Sequence, residues 1–304
     1  MDMKTNDVQR KRFLQAIECL TPQLQAIVLR LDEAGQDACE ELRLRAGQPV
    51  HAQIDGRERA LAGPGVTAGQ LREVVSRAAR YSVHSYGEAL AQGYLPLEGG
   101  HRLGICGAAI VKNQAMAGIR TISSLNLRIA GPRPGICLPV LPQIARFPRV
   151  YNTLILSPPG FGKTTLLRDL ICQISGQGVR VAVADERGEL AALREGMAQF
   201  DIGPHTDVLE GCPKAIGVMV LLRVMSPAVI ALDEITAPED VQAIAHAGHC
   251  GVQILATAHA DGLDDLKRRP LYRDLLALSV FERVLCIAKD GGRRRYTVEQ
   301  LGGN

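Results

Sequence analysis

Four short stretches carry residues that together could handle a nucleoside triphosphate. The first is Ser157-Pro158-Pro159-Gly160-Phe161-Gly162-Lys163-Thr164-Thr165. Glycines at 160 and 162 let backbone N–H groups approach phosphate oxygens, and a helix starting at Lys163 adds the positive end of its dipole. Lys163 reaches β- and γ-phosphates as a point charge, and the Thr164 hydroxyl is a ligand for Mg²⁺. The usual spacing, G-x-x-x-x-G-K-[ST], wants glycine where this chain has Ser157. A serine can make that turn from an ordinary backbone region, which leaves the phosphate-contacting G-F-G-K-T-T half intact. ATP and Mg²⁺ are the expected ligands.

The second stretch is the apolar run Val229-Ile-Ala-Leu232, which ends in Asp233 and Glu234. An aspartate there holds the Mg²⁺ shell, and the following glutamate can polarise water for attack on the γ-phosphate. The third places Asp185, Glu186 and Glu189 after Val181–Ala184. These acids can orient water or Mg²⁺; a solvated Glu–Arg pair through Arg187 is the alternative. The fourth ends Ile254-Leu-Ala with Thr257 and His259. His259 can sense whether a γ-phosphate is present, against a histidine satisfied within the core. Phosphoryl transfer also needs cations, often supplied in trans. Arg102, Arg120, Arg128 and Arg223 are candidates, against ordinary charges on a strand or helix face.

Apolar periodicity indicates the elements that position these groups. After residue 137, strands are expected at Tyr151–Leu156, Val179–Ala184, Val229–Leu232 and Val252–Ala256, with helices at Thr164–Ile174, Ala215–Val224 and Glu239–His249. Apolar strands separated by helices predict an α/β domain, its mostly parallel sheet covered on both faces. Leu278–Ala288 and Arg295–Val298 are expected as edge strands, with Arg293-Arg-Arg295 in a hairpin turn. The preceding residues predict a smaller α+β domain over 1–130. Two helices over 8–34 are separated by Thr21-Pro22, and strands follow at 41–45 and 48–50. A helix starts from the capping box Thr67-Ala-Gly-Gln70, and a short one runs from Ser85 to Gly93. Strands then meander from Tyr94 to Ala130. Gly131-Pro-Arg-Pro-Gly135 marks a linker, residues 131–137, before a second domain over 138–304.

Composition removes several classes. Lys plus Arg is 35 against 32 for Asp plus Glu, so charge alone gives no bias toward polyanions. Aromatic residues are 4% with no Trp, which argues against base-stacking platforms and hence against nucleic acid. The eight cysteines are scattered singly without a C-x-x-C pair, which indicates reduced thiols rather than a zinc site or disulfide frame. No run approaches the roughly 20 apolar residues of a membrane span. A cytoplasmic protein is expected, with membrane contact only through partners.

With these residues in place, the chain resembles the stage III sporulation protein AA family of endospore-forming bacteria. The matching stretches run in order: E-L-R-L-R-A-G-Q-P, Q-G-Y-L-P-L-E-G-G-H-R-L-G-I-C-G, S-L-N-L-R-I-A, S-P-P-G-F-G-K-T-T-L-L-R-D, D-E-R-G-E, T-D-V-L-E-G-C-P-K-A, M-S-P-A-V-I-A-L-D-E-I and T-A-H-A. That family is similar to the ATPases of type II and type IV secretion systems. The resemblance implies a RecA-like P-loop domain after a small N-terminal domain, and often a hexameric ring. It implies that Asp185, Glu186 and Glu189 form an acidic box, that His259 is a histidine-box residue, and that Arg120 and Arg128 face nucleotide from the N-terminal domain. Glu234 inherits the water-activating role. It also implies work at the inner face of the membrane between mother cell and forespore, on the mother-cell side, with small membrane proteins as partners. Two other readings stay open: a nucleotide-dependent assembly switch with little turnover, and a RecA-like nucleic-acid motor.

Overall fold

The computed structural model describes residues 3–301 apart from 55, 81, 113, 132, 133, 291 and 292. The chain divides into two compact units, Met1–Pro132 and Arg133–Asn304. Pro132 and Arg133 of the expected linker lie outside the described residues.

The first unit opens with α1 (Met3–Ile17), α2 (Pro22–Val28) and α3 (Glu33–Asp37). Pro22 takes the first helical position of α2, as its fixed φ favours, but Thr21 before it makes no capping hydrogen bond through its side chain. Strands β1 (Cys39–Arg45), β2 (His51–Ile54) and β3 (Arg57–Ala60) follow, then α4 (Ala68–Ala78), α5 (Val83–Gln92), β4 (Tyr94–Pro96), β5 (Arg102–Lys112) and β6 (Ala115–Arg128). The capping box of α4 is formed: Gln70 N–H donates to Thr67 Oγ1 at 3.1 Å, and Thr67 N–H to Gln70 Oε1 at 2.9 Å. The N-cap of α5 is Ser82 rather than Ser85, because its hydroxyl accepts from Ser85 N–H. Gly93 closes that helix in the left-handed region, at φ 75°. The expected strand at 48–50 begins instead at His51, since Gln48 and Pro49 complete the bend out of β1.

These strands form one antiparallel sheet in the order β3-β2-β1-β6-β5-β4. Period-two alternation puts Leu42 and Leu44 opposite Leu127 and Leu125. The core they enter includes Phe13 and Leu20 from the N-terminal helical segment and Leu71, Val74 and Val75 of α4.

The second unit runs α6 (Leu141–Ile144), the two-residue pair β7 (Ala145–Arg146) and β8 (Arg149–Val150), β9 (Thr153–Ser157), α7 (Lys163–Gly176) and β10 (Val181–Asp185). A small hairpin, β11 (Leu193–Arg194) and β12 (Met197–Ala198), leads to β13 (Thr206–Glu210), α8 (Lys214–Met225), β14 (Val229–Glu234), α9 (Pro238–His249) and β15 (Gln253–His259). The unit closes with α10 (Leu263–Arg268), α11 (Pro270–Ala277), β16 (Arg283–Asp290) and β17 (Arg293–Gln300). Its main sheet has the order β13-β10-β14-β15-β9-β16-β17, parallel except for β17. Alternate residues feed two cores. Leu154, Ile230 and Ile254 belong to one, with α9 and α11; Ile155, Val183 and Leu255 belong to the other, with α7.

Two expectations for this unit are corrected and three elements are added. Residues 278–282 are not strand: the chain leaves α11 through Ser279 in a left-handed turn and pairs with β9 only from Arg283. Arg293, Arg294 and Arg295 are not a turn but the first residues of β17, opposite Asp290, Lys289 and Ala288. Strand β13 and helices α10 and α11 were not anticipated from the periodicity.

His101 gives the first unit a pH sensitivity. It is 2% exposed, and its Nδ1 accepts from Ala130 N–H at 3.0 Å. Burial, with the nearby Arg12 charge, pushes it from the ordinary 6.5 down to about 4. Protonation therefore favours the unfolded chain. The stability that His101 supports is full above about pH 6.5 and is lost as pH falls through about 4. Thermal melts between pH 7.5 and 4 should show the wild-type chain losing stability faster than His101→Gln, which keeps an acceptor for Ala130. Parallel pH profiles would assign the acid sensitivity elsewhere.

Candidate functional site

Parallel pairing brings the carboxyl ends of β9, β15 and β14 together. His259 at the end of β15 is in register with Ser157 at the end of β9, and Glu234 of β14 is paired with Thr257. Between β9 and α7 the loop 158–162 turns through Gly160 at φ 76° and Gly162 at φ 96°, backbone values that suit glycine. Ser157 ends β9 without a positive φ, and its hydroxyl donates to Pro158 O at 2.9 Å. Helix α7 begins at Lys163, so the first-turn amides of Lys163, Thr164 and Thr165 have no acceptor within the helix. An anion is the natural partner for such a cradle. Phe161 packs against the core beneath α7.

Lys163 is buried and donates to Ser157 O at 3.0 Å, Pro158 O at 3.4 Å and His259 Nδ1 at 2.6 Å. Burial lowers its pKa from 10.5 to about 8, opposed by the Glu234 charge. On its other side the His259 ring meets Glu234, Nε2 to Oε2 at 2.8 Å. With its proton on Nε2 the ring accepts from Lys163 at Nδ1 and donates to Glu234, while Nδ1 also lies 3.4 Å from Ser157 O. Lys163, His259 and Glu234 form one hydrogen-bonded chain, which Thr257, buried nearby on β15, does not enter.

The two aspartates at strand ends differ sharply. Asp185 Oδ1 accepts from Glu189 N–H, and its Oδ2 from Leu190 and Ala191 N–H, all at 2.9 Å. Asp185, expected as a Mg²⁺ ligand, has both oxygens hydrogen-bonded by amides of the turn that follows β10. Burial raises its pKa and the three amides pull against that rise. Asp233 is also buried, yet its Oδ1 has no hydrogen-bond partner. Burial, with Asp185, Glu189 and Glu186 nearby, pushes Asp233 up to about 7, although Lys214 opposes the shift. An orphaned, enclosed carboxylate oxygen fits a divalent cation. Among the described residues no group of three His, Cys, Asp or Glu could hold a metal alone. That suits Mg²⁺, which takes one or two protein ligands plus phosphate and water. Asp233 and Thr164 are the residues that would hold it.

Lys214 was missed in the sequence. It starts α8, is buried, ion-pairs with Glu186, and stands 3.7 Å from Asp233 Oδ1 and 3.9 Å from Asp240 Oδ2. A lysine in the first turn of a helix opposes the dipole unless carboxylates surround it, and that was the available signal. Arg294 of β17 was missed as well. Its Nε donates to Phe161 O at 2.9 Å, and a Cβ on Gly162 would come 3.2 Å from that nitrogen. The φ of Gly162 favours glycine, and an added Cβ would also press on the Arg294 guanidinium.

The candidate arginines separate. Arg120 and Arg128 are exposed on β6 of the first unit. Arg102 stacks on Tyr94, 3.9 Å from guanidinium carbon to ring centre. Arg223 is not brought to the site: it lies in the last turn of α8, the end that leads to the start of β14, whereas Asp233 and Glu234 lie at that strand's finish. Glu189 is brought close, its carbonyl accepting from Arg168 Nη2.

With this geometry in view, the family model for sporulation stage III, protein AA matches residues 9–299. The stage III sporulation protein AA of Bacillus subtilis (strain 168) is 39% identical over 259 residues, 83% of each chain. Among solved structures, the Legionella pneumophila ATPase DotB superposes with a TM-score of 0.60 at 18% identity, over 90% of this chain and 80% of that one. The pilus retraction motor PilT with bound ADP gives 0.58 at 17% identity, over 92% and 83%. At these identities the likeness to solved structures is one of fold.

The amide contacts of Asp185 generate a test. Asp185→Ala should destabilise the nucleotide-free, Mg²⁺-free chain by about 2–4 kcal/mol, because three buried N–H donors lose a charged acceptor. An unchanged melting temperature in EDTA would return Asp185 to the role of metal ligand.

Proposed function

This chain belongs to the sporulation stage III protein AA family, and on that premise we propose that it is a secretion-type ATPase. It hydrolyses ATP to ADP and phosphate as part of a sporulation channel between mother cell and forespore. The observation that carries this reading is the unbroken chain from Lys163 through His259 to Glu234, which joins a phosphate cradle to a general base.

In the proposed reaction the loop amides and Lys163 hold the β- and γ-phosphates of ATP, with Ser157 to Thr165 forming the cradle. Glu234 takes a proton from the attacking water. The water oxygen bonds to the γ-phosphorus as the bond to the β–γ bridging oxygen breaks, and ADP leaves with that electron pair. Mg²⁺ at Thr164 and Asp233 would neutralise charge on the phosphates. Glu189 is close enough to Asp233 to contribute to its field.

We assign residues 1–130 to an N-terminal domain, 131–137 to a linker and 138–304 to a RecA-like ATPase domain. Arg120 and Arg128 are proposed to supply cations to a nucleotide in a neighbouring subunit of a hexameric ring. Small membrane proteins of the channel are the proposed partners, and nucleic acid is not. Among the described residues no helix is long and apolar enough to cross a membrane. A cytoplasmic, mother-cell position at the membrane's inner face, reached through partners, is proposed on the strength of the family. One observation favours a second reading, an assembly switch with little turnover: Lys163 and Glu234 are both engaged by His259.

Glu234→Gln should bind Mg·ATP near normally while steady-state turnover falls by roughly 10²-fold or more. Equal loss of binding and rate would make Glu234 structural and shift the base to Glu189.

The ring has its own test. Arg128→Ala and Lys163→Ala should each be inactive alone and recover part of the activity when mixed, because one type of interface keeps both wild-type halves. Absence of rescue, with specific activity independent of protein concentration, would favour the switch.

A further inference from the structure

Lys163 has three N–H donors, and with the His259 proton on Nε2 the chain itself supplies three acceptors for them. Two are backbone carbonyls of its own loop, Ser157 O and Pro158 O, fixed by the turn that makes the cradle. The third, His259 Nδ1, is the shortest contact at 2.6 Å and belongs to a side chain on another strand. A phosphate oxygen can therefore gain Lys163 most readily by displacing His259. The imidazole has somewhere to go, since its side chain is 30% exposed. Its opposite nitrogen holds Glu234, so the same ring touches the group that binds phosphate and the group that would activate water.

We propose that His259 is a latch on the phosphate cradle, holding Lys163 until a phosphate displaces it while orienting Glu234 through its other nitrogen. This rests on the ATPase reading above and adds a sign to it. A residue that only gripped the γ-phosphate would weaken nucleotide binding when removed. A residue that only supported the fold would weaken binding and rate together. A latch does neither: its removal frees Lys163 and tightens binding, while Glu234 loses its orienting donor and turnover drops. His259 is thus a positioning residue whose loss moves affinity and rate in opposite directions.

The test is calorimetric titration of the full chain with ADP in Mg²⁺-free buffer, alongside steady-state turnover of Mg·ATP. His259→Ala and the bulkier His259→Leu should each bind ADP roughly tenfold more tightly than wild type, the scale of one lost charge-assisted hydrogen bond. Their turnover should fall by about tenfold or more. Adding His259→Ala to Lys163→Ala should change ADP affinity by less than about twofold, since no ammonium remains to be held. In the wild-type chain, the imidazole ¹⁵N resonances of His259 should shift on ADP addition as Nδ1 loses its donor, a readout that needs no variant to fold. Unchanged or weaker ADP binding by both variants, or His259 resonances that stay in place at saturating ADP, would overturn the latch and leave the ATPase reading standing. A wild-type chain that binds no ADP would overturn both.

Discussion

Charge brought below the surface of a parallel sheet has to find its partners there. At the carboxyl edge of the larger sheet, Lys163, Asp185, Lys214, Asp233 and Asp240 are each less than a tenth exposed. An unpaired ion in such a place is strongly destabilising, so the loops are shaped to bring donors and acceptors to each one. Asp185 curls residues 186–191 around itself by accepting three backbone amides. Asp240 does the same at the start of α9, accepting from Thr236 and Ala237 N–H. Lys214 then sits among Glu186, Asp233 and Asp240, and the three carboxylates outweigh the burial that disfavours its charge.

Asp233 is where this arrangement stops short. Its strand reads V-I-A-L-D-E and that of Asp185 reads V-A-V-A-D-E, so each aspartate ends an apolar run and precedes a glutamate. What separates them is the count of amide donors. Asp185 is fully supplied by the chain, whereas one oxygen of Asp233 is enclosed without any donor. A protein keeps such a group where something outside the chain completes it, and a hydrated divalent ion is the smallest candidate. Lys214, 3.7 Å away, holds part of the charge balance meanwhile.

This difference also marks how far the sequence could be read. The strand–glycine loop–helix at 153–176, the Thr67–Gln70 capping box and the alternation of apolar strands were legible because each depends on residues a few positions apart. The two strand-end aspartates looked alike because the amides that separate them come from a turn whose path no periodicity encodes. Strand β13 escaped notice as a half-exposed edge, lacking the continuous apolar run of β10 and β14. Helices α10 and α11 are short and separated only by Arg269, with Pro270 opening the second. Lys214 and Arg294 are contacts of long range: Arg294 meets a loop 133 residues away. Its neighbours looked like a basic turn until pairing with β16 placed them in a strand.

The groups at this edge divide by how readily their partners can be exchanged. Asp185 is held by backbone that cannot leave without unfolding the turn, so its contacts fix the shape of that turn. Lys163 is held partly by backbone and partly by an imidazole that can rotate away, so its environment can change while the loop keeps its form. Glu234 shares that imidazole, and with β15 lying between β9 and β14 the lysine cannot change partner without altering the donor on the glutamate. The strand order therefore does more than bring residues close. It places the His259 side chain between Lys163, proposed to meet phosphate, and Glu234, proposed to activate water, with carboxylate-capped turns around them. Under the proposed ATPase reading, coupling of ligand to chemistry in this unit would follow from which strand lies between which, before any movement of a second subunit is invoked.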